Sequence, residues 1–419
     1  MKVLWITNVL FPEVCLKLNI TPTVIGGWQY SFANYLVKYS PDLELIVAVP
    51  YEQETMQYFK SDRISYILFP STYIKINNKE SLLKNTQLFS EINADIIHFQ
   101  GTEYPFALFV LKLVDTSRIV ISIQGLVSNY SKYYFGGISG FDIFFYITMR
   151  DLIRWDTLFH QKYNMSKRGK SEVEIFKSVQ HIIGRTHYDR AITWAINSKA
   201  KYHFLNETLR DSFYDKSWSY ENCTPYSIFI SQSYYPIKGL HQFLKALNII
   251  VKIYPKTVVY IAGFNFFEKN FFRTNGYGHY IKTQIKKMGL YKHIKFLGLL
   301  DEVSMVKEFL KSNVVINPSI IENSSNSICE AQLLGVPCIA SNVGGSSDLI
   351  ENGVSGFLYR FEEYEILARF ISDIFSDIDL AMRISKNARL IALERHDRLK
   401  IVKQCNEIYD NIYRNNFRN

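Results

Sequence analysis

Short apolar runs alternate with longer amphipathic stretches along the chain, and polar or turn residues follow each apolar run. In the N-terminal half the apolar runs predict strands over residues 2–7, 43–49, 95–100, 119–124, 181–184 and 200–205. A helical pattern from about Trp28 to Tyr39 follows Gly26 and Gly27, which come after the first strand and its loop. This alternation favours a largely parallel sheet with helices on both faces.

The same alternation starts again in the C-terminal half. Polar and turn residues over 207–225 indicate a linker. The later apolar runs predict strands over residues 227–231, 257–262, 294–298, 314–316 and 337–341. We therefore predict two doubly wound α/β domains, over residues 1–206 and 226–395, with a closing helix over 396–419 that returns to the N-terminal domain. Ligands of such domains bind at the carboxyl ends of the strands, so we expect both domains to face a central cleft.

Length, charge and cysteine usage narrow the class of protein. A chain of 419 residues suits two domains. Its net charge is +9 without a dense basic block, which argues against a nucleic-acid partner. Five scattered cysteines fit a reduced compartment, and no apolar run approaches the roughly 18 residues of a membrane-spanning helix. We interpret the apolar start as a buried strand and not as a signal peptide, and expect a cytoplasmic protein.

The stretch richest in candidate chemistry is residues 318–357. Glu322 lies in the loop after the strand 314–316, and Ser325 is a strong N-cap residue. The pattern predicts a helix that starts near Asn326 and contains Glu330. The free N–H groups and the dipole of such a helix suit a diphosphate. The two carboxylates can accept paired hydrogen bonds from vicinal diols, which sugars and riboses both present.

This stretch resembles the signature of the family-four (group 1) retaining glycosyltransferases of GT-B fold, through Glu322-x7-Glu330, Gly335-Val336-Pro337 and Gly344-Gly345. The resemblance implies two Rossmann-like domains, with the acceptor on the N-terminal side and the nucleotide-sugar on the C-terminal side. It also implies that Glu330 binds the ribose and Glu322 the donor sugar, while the amides of Ser325, Asn326 and Ser327 hold the sugar and the phosphates. The alternative is a solvated pair of glutamates at a helix end.

A second resemblance surrounds Lys238, which lies in Tyr234-Tyr235-Pro236-Ile237-Lys238-Gly239. In the family a loop of this kind carries an arginine and a lysine that clamp the donor diphosphate, and Lys238 fits the lysine. Gln232 and Ser233 stand where the family has glycine and arginine, so one cation and helix amides are left for the phosphates. The alternative is a solvated turn lysine.

Further candidate residues lie mostly at strand ends of the N-terminal domain. The resemblance implies donor-side roles for Gly27, Gln124, Arg185 and Gly263, and acceptor-side roles for Trp28, His98 and Gln100. Gln100 and Gln124 replace histidines of the family, and an amide side chain cannot carry a proton charge. Bland alternatives stay open: a satisfied strand-end His98, a structural pair of Arg185 with Asp189, a plain turn at Gly27 and a core Trp28.

The resemblance implies a hexosyltransferase that moves a sugar from a nucleotide-diphosphate sugar to a glycan or lipid-linked acceptor in cell-surface polysaccharide synthesis, with Glu322 and Lys238 as catalytic candidates. We expect no metal and no other cofactor, because Asp377-Ile378-Asp379 falls in an amphipathic stretch away from the donor loops. Two alternatives are an epimerase or sugar phosphorylase of the same fold, and a non-catalytic protein that binds nucleotide or glycan.

Residues 129–170 alternate aromatic with basic residues, including Phe144, Phe145, Arg154, Lys162 and Lys170. Stretches of this kind can lie on an anionic membrane surface. Members of the family that build cell-surface glycans often dock through the N-terminal domain, which implies a peripheral contact with the inner leaflet and a polyprenyl-linked acceptor. The alternative is a set of core aromatics beside a solvated basic face.

Overall fold

The computed structural model describes residues 1–22, 26–71, 89–103, 105–267 and 273–416. The chain divides into two compact units. The first unit comprises Met1–Ser128, Lys167–Leu209 and His396–Asn419, and the second comprises Asn129–Ser166 and Arg210–Arg395. Residues 129–166 lie in the N-terminal domain of the sequence-based division, and in the structure they belong to the second unit.

The sheet of the first unit is almost entirely parallel. Its strands are β1 Lys2–Ile6, β2 Glu44–Tyr51, β3 Gln57–Ser61, β4 Ile64–Pro70, β5 Ile96–Gln100, β6 Ile119–Ser122, β7 His181–Gly184 and β8 Lys201–Phe204. Their order is β3-β4-β2-β1-β5-β6-β7-β8. Only β3 runs antiparallel to its neighbour among the described residues. The winding direction changes between β1 and β5, and ligands of such sheets bind at this switch point.

The sheet of the second unit is parallel throughout the described residues. Its strands are β9 Thr224–Ile230, β10 Val258–Ala262, β11 Ile294–Gly298, β12 Ser312–Asn317, β13 Cys338–Ser341 and β14 Phe357–Tyr359. Their order is β11-β10-β9-β12-β13-β14, so the switch point lies between β9 and β12. Two wound, largely parallel sheets confirm the predicted fold class.

Helices cover the faces of both sheets. They are α1 Pro12–Lys17, α2 Gly27–Tyr39, α3 Phe106–Val110, α4 Val127–Tyr130, α5 Gly140–Phe145, α6 Met149–Ile153, α7 Leu158–Ser178, α8 His187–Ile196, α9 Leu240–Ile253, α10 Gly276–Lys287, α11 Glu302–Lys311, α12 Asn326–Leu334, α13 Ser346–Leu349, α14 Tyr364–Ser376, α15 Ile378–Arg395 and α16 Arg398–Asn416. Within the described ranges, none of them is both long enough and apolar enough to span a bilayer.

The core of the first unit joins its first strand to the last helix of the chain. Trp5, fully buried on β1, donates its Nε1–H to the hydroxyl of Tyr409 on α16 at 2.9 Å. Other α16 side chains in the same core are Ile401, Val402, Cys405, Ile408 and Ile412. Burying a side chain of this size contributes roughly 1.5–3 kcal/mol, so α16 is a structural part of the first unit.

Candidate functional site

Three loops meet at the carboxyl edge of the second sheet, after β9, β12 and β13. Gly239, in the β9 loop, has a φ of +72°, and a Cβ there would overlap the carbonyl oxygen of Pro318 in the β12 loop. The N–H of Ile320 donates to the oxygen of Ile237 at 2.7 Å, which fastens the same two loops. The β13 loop joins them through the N–H of Gly345, which donates to the carbonyl oxygen of Glu322 at 3.2 Å.

This arrangement brings Lys238 and Glu322 together. Lys238 follows β9, Glu322 follows β12, and the Lys238 Nζ lies 2.6 Å from Glu322 Oε1. The hydroxyl of Ser319 donates to the same carboxylate oxygen at 2.7 Å. The Glu322 side chain is 9% exposed and the Lys238 side chain 21%, so neither is the solvated residue of the alternative interpretation. A cation and a carboxylate therefore share the switch point of the sheet.

The helix predicted beside this pair is α12, and Ser325 occupies its N-cap position. The hydroxyl of Ser325 does not cap the helix, because it accepts a hydrogen bond from Asn317 Nδ2 at 2.6 Å. The hydroxyl of Ser327 instead pairs with that of Ser231, at 2.5 Å. The first turn of α12 thus has no side-chain cap among the described residues, which suits an anion at its N-terminus.

Glu330 lies on α12 and is buried against a cation. Arg210 donates to Glu330 Oε1 from Nε at 3.0 Å and from Nη2 at 2.6 Å, and Glu330 Oε2 takes no part in these bonds. Burial raises the pKa of the Glu330 carboxyl, and the charge of Arg210 opposes that rise. The sequence shows Arg210 in Asn206-Glu207-x2-Arg210, but nothing in it indicates the pairing with Glu330.

Ser233 stands in the β9 loop where the family has arginine. Its side chain is buried, and its hydroxyl has no hydrogen-bond partner within the part of the chain that the structure describes. A buried hydroxyl without a partner is costly, and a phosphate oxygen would satisfy it. Gly263 follows β10 with a φ of +100°, and no described atom lies within 4 Å of where its Cβ would be.

The backbone of the Glu322 loop has a further partner that the sequence did not indicate. The hydroxyl of Tyr130, at the end of α4, accepts a hydrogen bond from the N–H of Asn323 at 3.0 Å. The two residues are 193 positions apart, so no local pattern could have revealed this contact. Tyr130 therefore holds the loop between the two glutamates in place.

In the first unit the structure brings Trp28 and Arg185 together. The Arg185 guanidinium lies 5.8 Å from the centre of the Trp28 ring, forms an ion pair with Glu207 and donates to the carbonyl oxygen of Ile123 at 2.5 Å. Asp189 accepts from the backbone N–H of Arg185, at 3.0 Å. Gly27 opens α2 after Gly26, which has a φ of +82°. Arg185 is thus held by carboxylate and backbone oxygens.

His98, Gln100 and Gln124 form a chain of contacts at the ends of β5 and β6. The ring of His98 is fully buried, with Nδ1 at 2.6 Å from the Tyr409 hydroxyl and Nε2 at 2.6 Å from the Ser122 hydroxyl. Burial lowers the pKa of His98 to about 3. Gln124 donates to the carbonyl oxygen of Gln100 at 2.8 Å. His98 is thus a satisfied buried residue, as one of the two interpretations of the sequence had it.

The pattern Asp377-Ile378-Asp379 has a local structural role. Asp377 is exposed between α14 and α15, and its Oδ1 accepts a hydrogen bond from the N–H of Leu380 at 2.9 Å. Across the described ranges, no group of three or more histidine, cysteine and acidic side chains has an arrangement that would hold a metal ion.

A model of the family described as "Glycosyl transferases group 1" matches residues 217–391, which contain all three loops of the second sheet. Curated relatives match parts of the chain. The "UDP-Gal:alpha-D-GlcNAc-diphosphoundecaprenol alpha-1,3-galactosyltransferase" of Escherichia coli is 31% identical over 119 residues, 28% of this chain and 28% of the relative. The "Capsular polysaccharide biosynthesis glycosyltransferase CapM" of Staphylococcus aureus is 28% identical over 36% of this chain and 37% of the relative. The matches thus span well under half of these relatives.

Solved structures match almost the whole chain. Sucrose-phosphate synthase from Thermosynechococcus elongatus superposes with a TM-score of 0.71 at 15% identity, covering 99% of both chains. Anabaena HepE, solved with UDP and glucose, superposes with a TM-score of 0.67 at 17% identity, covering 98% of this chain and 99% of HepE. At such identities the likeness shows the fold. The chain is a GT-B protein with two Rossmann-like domains. Residues 217–391 are similar to the group 1 glycosyltransferases.

Proposed function

We propose that the protein is a retaining glycosyltransferase that moves a hexose from a nucleotide-diphosphate sugar to a glycan or lipid-linked acceptor in polysaccharide synthesis. The Lys238–Glu322 pair at the switch point of the second sheet carries this proposal. A cation and a carboxylate side by side suit the two parts of a donor, its diphosphate and its sugar. The group 1 match over the same loops supports the proposal.

In the proposed reaction the bond between the anomeric carbon and the diphosphate oxygen breaks, and the acceptor oxygen bonds to that carbon on the same face. The acceptor proton passes to the departing phosphate oxygen, so no covalent enzyme intermediate is needed. Lys238 moves from Glu322 to the diphosphate, where it and the amides of residues 325–327 stabilise the leaving charge. Glu322 then accepts hydrogen bonds from the sugar, and Glu330 accepts them from the ribose.

The proposal includes transfer without a metal. Lys238 and the uncapped first turn of α12 supply positive charge and N–H donors for the diphosphate. The buried hydroxyl of Ser233 adds a donor where the family has arginine. In the first unit, Gly27, Gln124 and Arg185 are proposed to contact the donor, and Trp28 and Gln100 the acceptor.

We further propose that the reaction takes place at the inner face of the cell membrane. The Escherichia coli relative is named for a substrate linked to diphosphoundecaprenol, and the name of the Staphylococcus aureus relative places it in capsular polysaccharide biosynthesis. These names support a polyprenyl-linked or glycan acceptor for this chain. They also place UDP-sugars first among the donors to be tested.

The test is donor binding and slow hydrolysis in EDTA, across UDP-, GDP-, ADP- and dTDP-sugars. One donor is expected to bind, and NMR should show that the released sugar keeps its anomeric configuration. Lys238→Ala should weaken binding about 10- to 100-fold, since a hydrogen bond to a charged group contributes roughly 1.5–3 kcal/mol. Glu330→Gln should weaken it similarly, whereas Lys252→Ala, an exposed lysine on α9, should not.

Other outcomes would indicate a different function or a different site. If no donor binds, or the Lys238 and Glu330 variants bind like wild type, the donor site is assigned wrongly and the non-catalytic alternative takes its place. An altered free sugar, released without acceptor, would identify an epimerase. Hydrolysis that requires a divalent cation would contradict the metal-free proposal alone.

A further inference from the structure

The helices α5 and α6 of the second unit turn their apolar faces to solvent. Their exposed side chains are 53% to 77% accessible and recur at spacings of three and four residues on both helices: Phe141, Phe144 and Phe145 on α5, and Met149, Leu152 and Ile153 on α6. In a globular protein, the apolar side of an amphipathic helix normally packs on the core. We call these six side chains the apolar face.

Buried polar contacts on the opposite side hold the apolar face in place. Asp151 Oδ2 accepts the N–H of Gly276 at 2.7 Å, and Asp151 Oδ1 lies 2.9 Å from Arg150 Nη1. Thr148 and Asp151 form a capping box at the start of α6, and Ile143 of α5 is buried. The apolar face is therefore exposed on helices that are anchored to the rest of the unit, and not on a frayed segment.

Trp155, just after α6, adds a strained and exposed aromatic residue. Its φ is +49°, a left-handed conformation that costs a bulky residue about 1–2 kcal/mol, and its side chain is 77% exposed. Its backbone N–H donates to the carbonyl oxygen of Leu152 at 3.2 Å. A side chain so exposed gains little from packing in the free chain, which indicates that a partner outside the chain buries it.

One arginine beside the apolar face has no ionic partner among the described residues and can contact an anionic partner. The aspartates of this stretch are engaged internally: Asp142 accepts from Ser139, and Asp151 and Asp156 both pair with Arg150. Arg154 is exposed and forms no ion pair with any residue that the structure describes. A free arginine such as Arg154, beside exposed Phe, Ile and Trp side chains, suits a surface that enters the headgroup region of an anionic bilayer.

We propose that α5, α6 and Trp155 form a docking surface for an anionic lipid bilayer. The apolar face enters the acyl boundary, Trp155 lies at the headgroup level, and Arg154 contacts lipid phosphates. This surface belongs to the second unit, whereas the resemblance implied docking through the N-terminal domain.

The segment that carries this surface also fastens the donor loops. Gly136 accepts a hydrogen bond from His241 at 2.7 Å, just beyond Lys238, and Tyr130 accepts one from Asn323, next to Glu322. Docking would therefore fix the donor loops relative to the bilayer. The inference deepens the proposed function, and rests on it only for the lipid-linked acceptor.

The first test is flotation of the full chain with vesicles of phosphatidylglycerol and phosphatidylethanolamine, compared with phosphatidylcholine vesicles. Wild type should bind the anionic vesicles, and Phe144→Ser/Ile153→Ser should bind at least about tenfold more weakly, because two inserted side chains are lost. The control Val303→Ser/Leu390→Ser removes two exposed apolar residues from α11 and α15 and should bind like wild type.

The second test is quenching of tryptophan fluorescence by brominated lipids. Trp155→Phe should remove most of the quenching, whereas Trp194→Phe, which replaces a residue 68% exposed in the first unit, should leave it. Equal vesicle binding by the Phe144→Ser/Ile153→Ser variant, or quenching that survives Trp155→Phe, would overturn the proposal. A dimer in light scattering that this double variant abolishes would identify a second copy of the chain as the occupant, and would also overturn it.

Donor hydrolysis without vesicles separates this inference from the proposed function. Phe144→Ser/Ile153→Ser should hydrolyse the donor like wild type, because neither residue belongs to the donor site. If the wild-type chain binds vesicles but no donor, the result would support the docking surface and contradict the proposed function.

Discussion

Two glutamates of the second unit are each paired with one cation. Glu322 pairs with Lys238 and Glu330 with Arg210, and all four side chains are at most 21% exposed. Removing one partner of a buried ion pair leaves an uncompensated charge, at a cost of roughly 3–5 kcal/mol, whereas removing both is often close to neutral. Each cation therefore compensates the charge of a buried carboxylate.

Arg210→Met tests the pairing with Glu330. The free energy of unfolding at pH 7 should fall by about 3 kcal/mol, because Glu330 stays buried without its cation. Burial raises the pKa of Glu330, so the folded state takes up its proton at higher pH than the unfolded state does. The difference in free energy of unfolding between wild type and Arg210→Met should therefore become smaller as pH falls, and urea unfolding curves measure it. Arg210→Met/Glu330→Gln should recover most of the loss, and a double variant no more stable than the single one would contradict this account.

His98→Gln tests the buried histidine of β5. Its pKa is lowered by burial from 6.5 to about 3, so between these values the unfolded chain binds a proton that the folded chain does not. The contribution of His98 to the free energy of unfolding is therefore fully present above pH 6.5 and is lost as pH falls. At pH 5 the loss is about 2 kcal/mol. Urea midpoints should depend less on pH in His98→Gln than in wild type. The exposed His187→Gln is the control, and identical pH profiles in all three proteins would refute the prediction.

The sequence indicated the candidate residues of the proposed donor site, but not their partners. Glu322, Glu330 and Lys238 stand in local patterns, since a loop, a helix start and a glycine turn each constrain nearby positions. Arg210 lies 120 positions from Glu330, and Tyr130 lies 193 from Asn323. Such contacts depend on how the sheet winds, which no local spacing encodes.

At the scale of elements, the proposed donor site depends on the close approach of the β9 and β12 loops. Gly239 makes this approach possible, because any side chain there would overlap the carbonyl oxygen of Pro318. Gly289 has a similar backbone, with a φ of +68°, but no described atom lies within 4 Å of its Cβ position. Comparing alanine variants at Gly239 and Gly289 thus separates the effect of the backbone conformation from the effect of the close contact.

Gly239→Ala should weaken donor binding and lower stability by more than 2 kcal/mol, since Pro318 must move. Gly289→Ala should lower stability by about 1 kcal/mol, from the left-handed conformation alone, and leave donor binding intact. Calorimetric titration with the donor and thermal unfolding measure both effects. Equal losses in the two variants would show that the contact with Pro318 is unimportant.

Strands buried on both faces could be predicted from apolar runs, as β1, β5 and β7 show. The prediction missed β3, β4 and β14. β3 is an edge strand with partly exposed side chains, β4 follows it after a tight turn at Asp62, and β14 has only three residues. The apolar pattern of α5 and α6 was visible, but a pattern does not tell whether an apolar face meets the core or solvent.

At the scale of the molecule, the two units are built from interleaved stretches of chain. The first unit needs residues 396–416, and the second is complete between residues 129 and 395. The hydrogen bond between Trp5 and Tyr409 links residues 404 positions apart.

A chain that ends at Arg395 should lose the fold of the first unit. Six side chains of α16 leave its core, and at roughly 1.5–3 kcal/mol each the loss reaches the whole stability of a typical domain, about 5–15 kcal/mol. Hydrogen exchange should show unprotected amides in β1 and β5 and protected amides in β9 and β12. Lys403→Ala, on the exposed side of α16, is the control. Protection of β1 in the shortened chain would contradict the prediction.

The place of α16 also sets an order for biosynthesis. Proteins usually fold their N-terminal domain first while the ribosome is still at work. Here Trp5 on β1 is made 404 positions before Tyr409 on α16, the helix that covers it. The nascent first unit must wait with an open core until α16 is made, while the second unit has all its residues earlier. Chaperones that cover apolar surface are therefore expected to hold the beginning of this chain for longer than its middle.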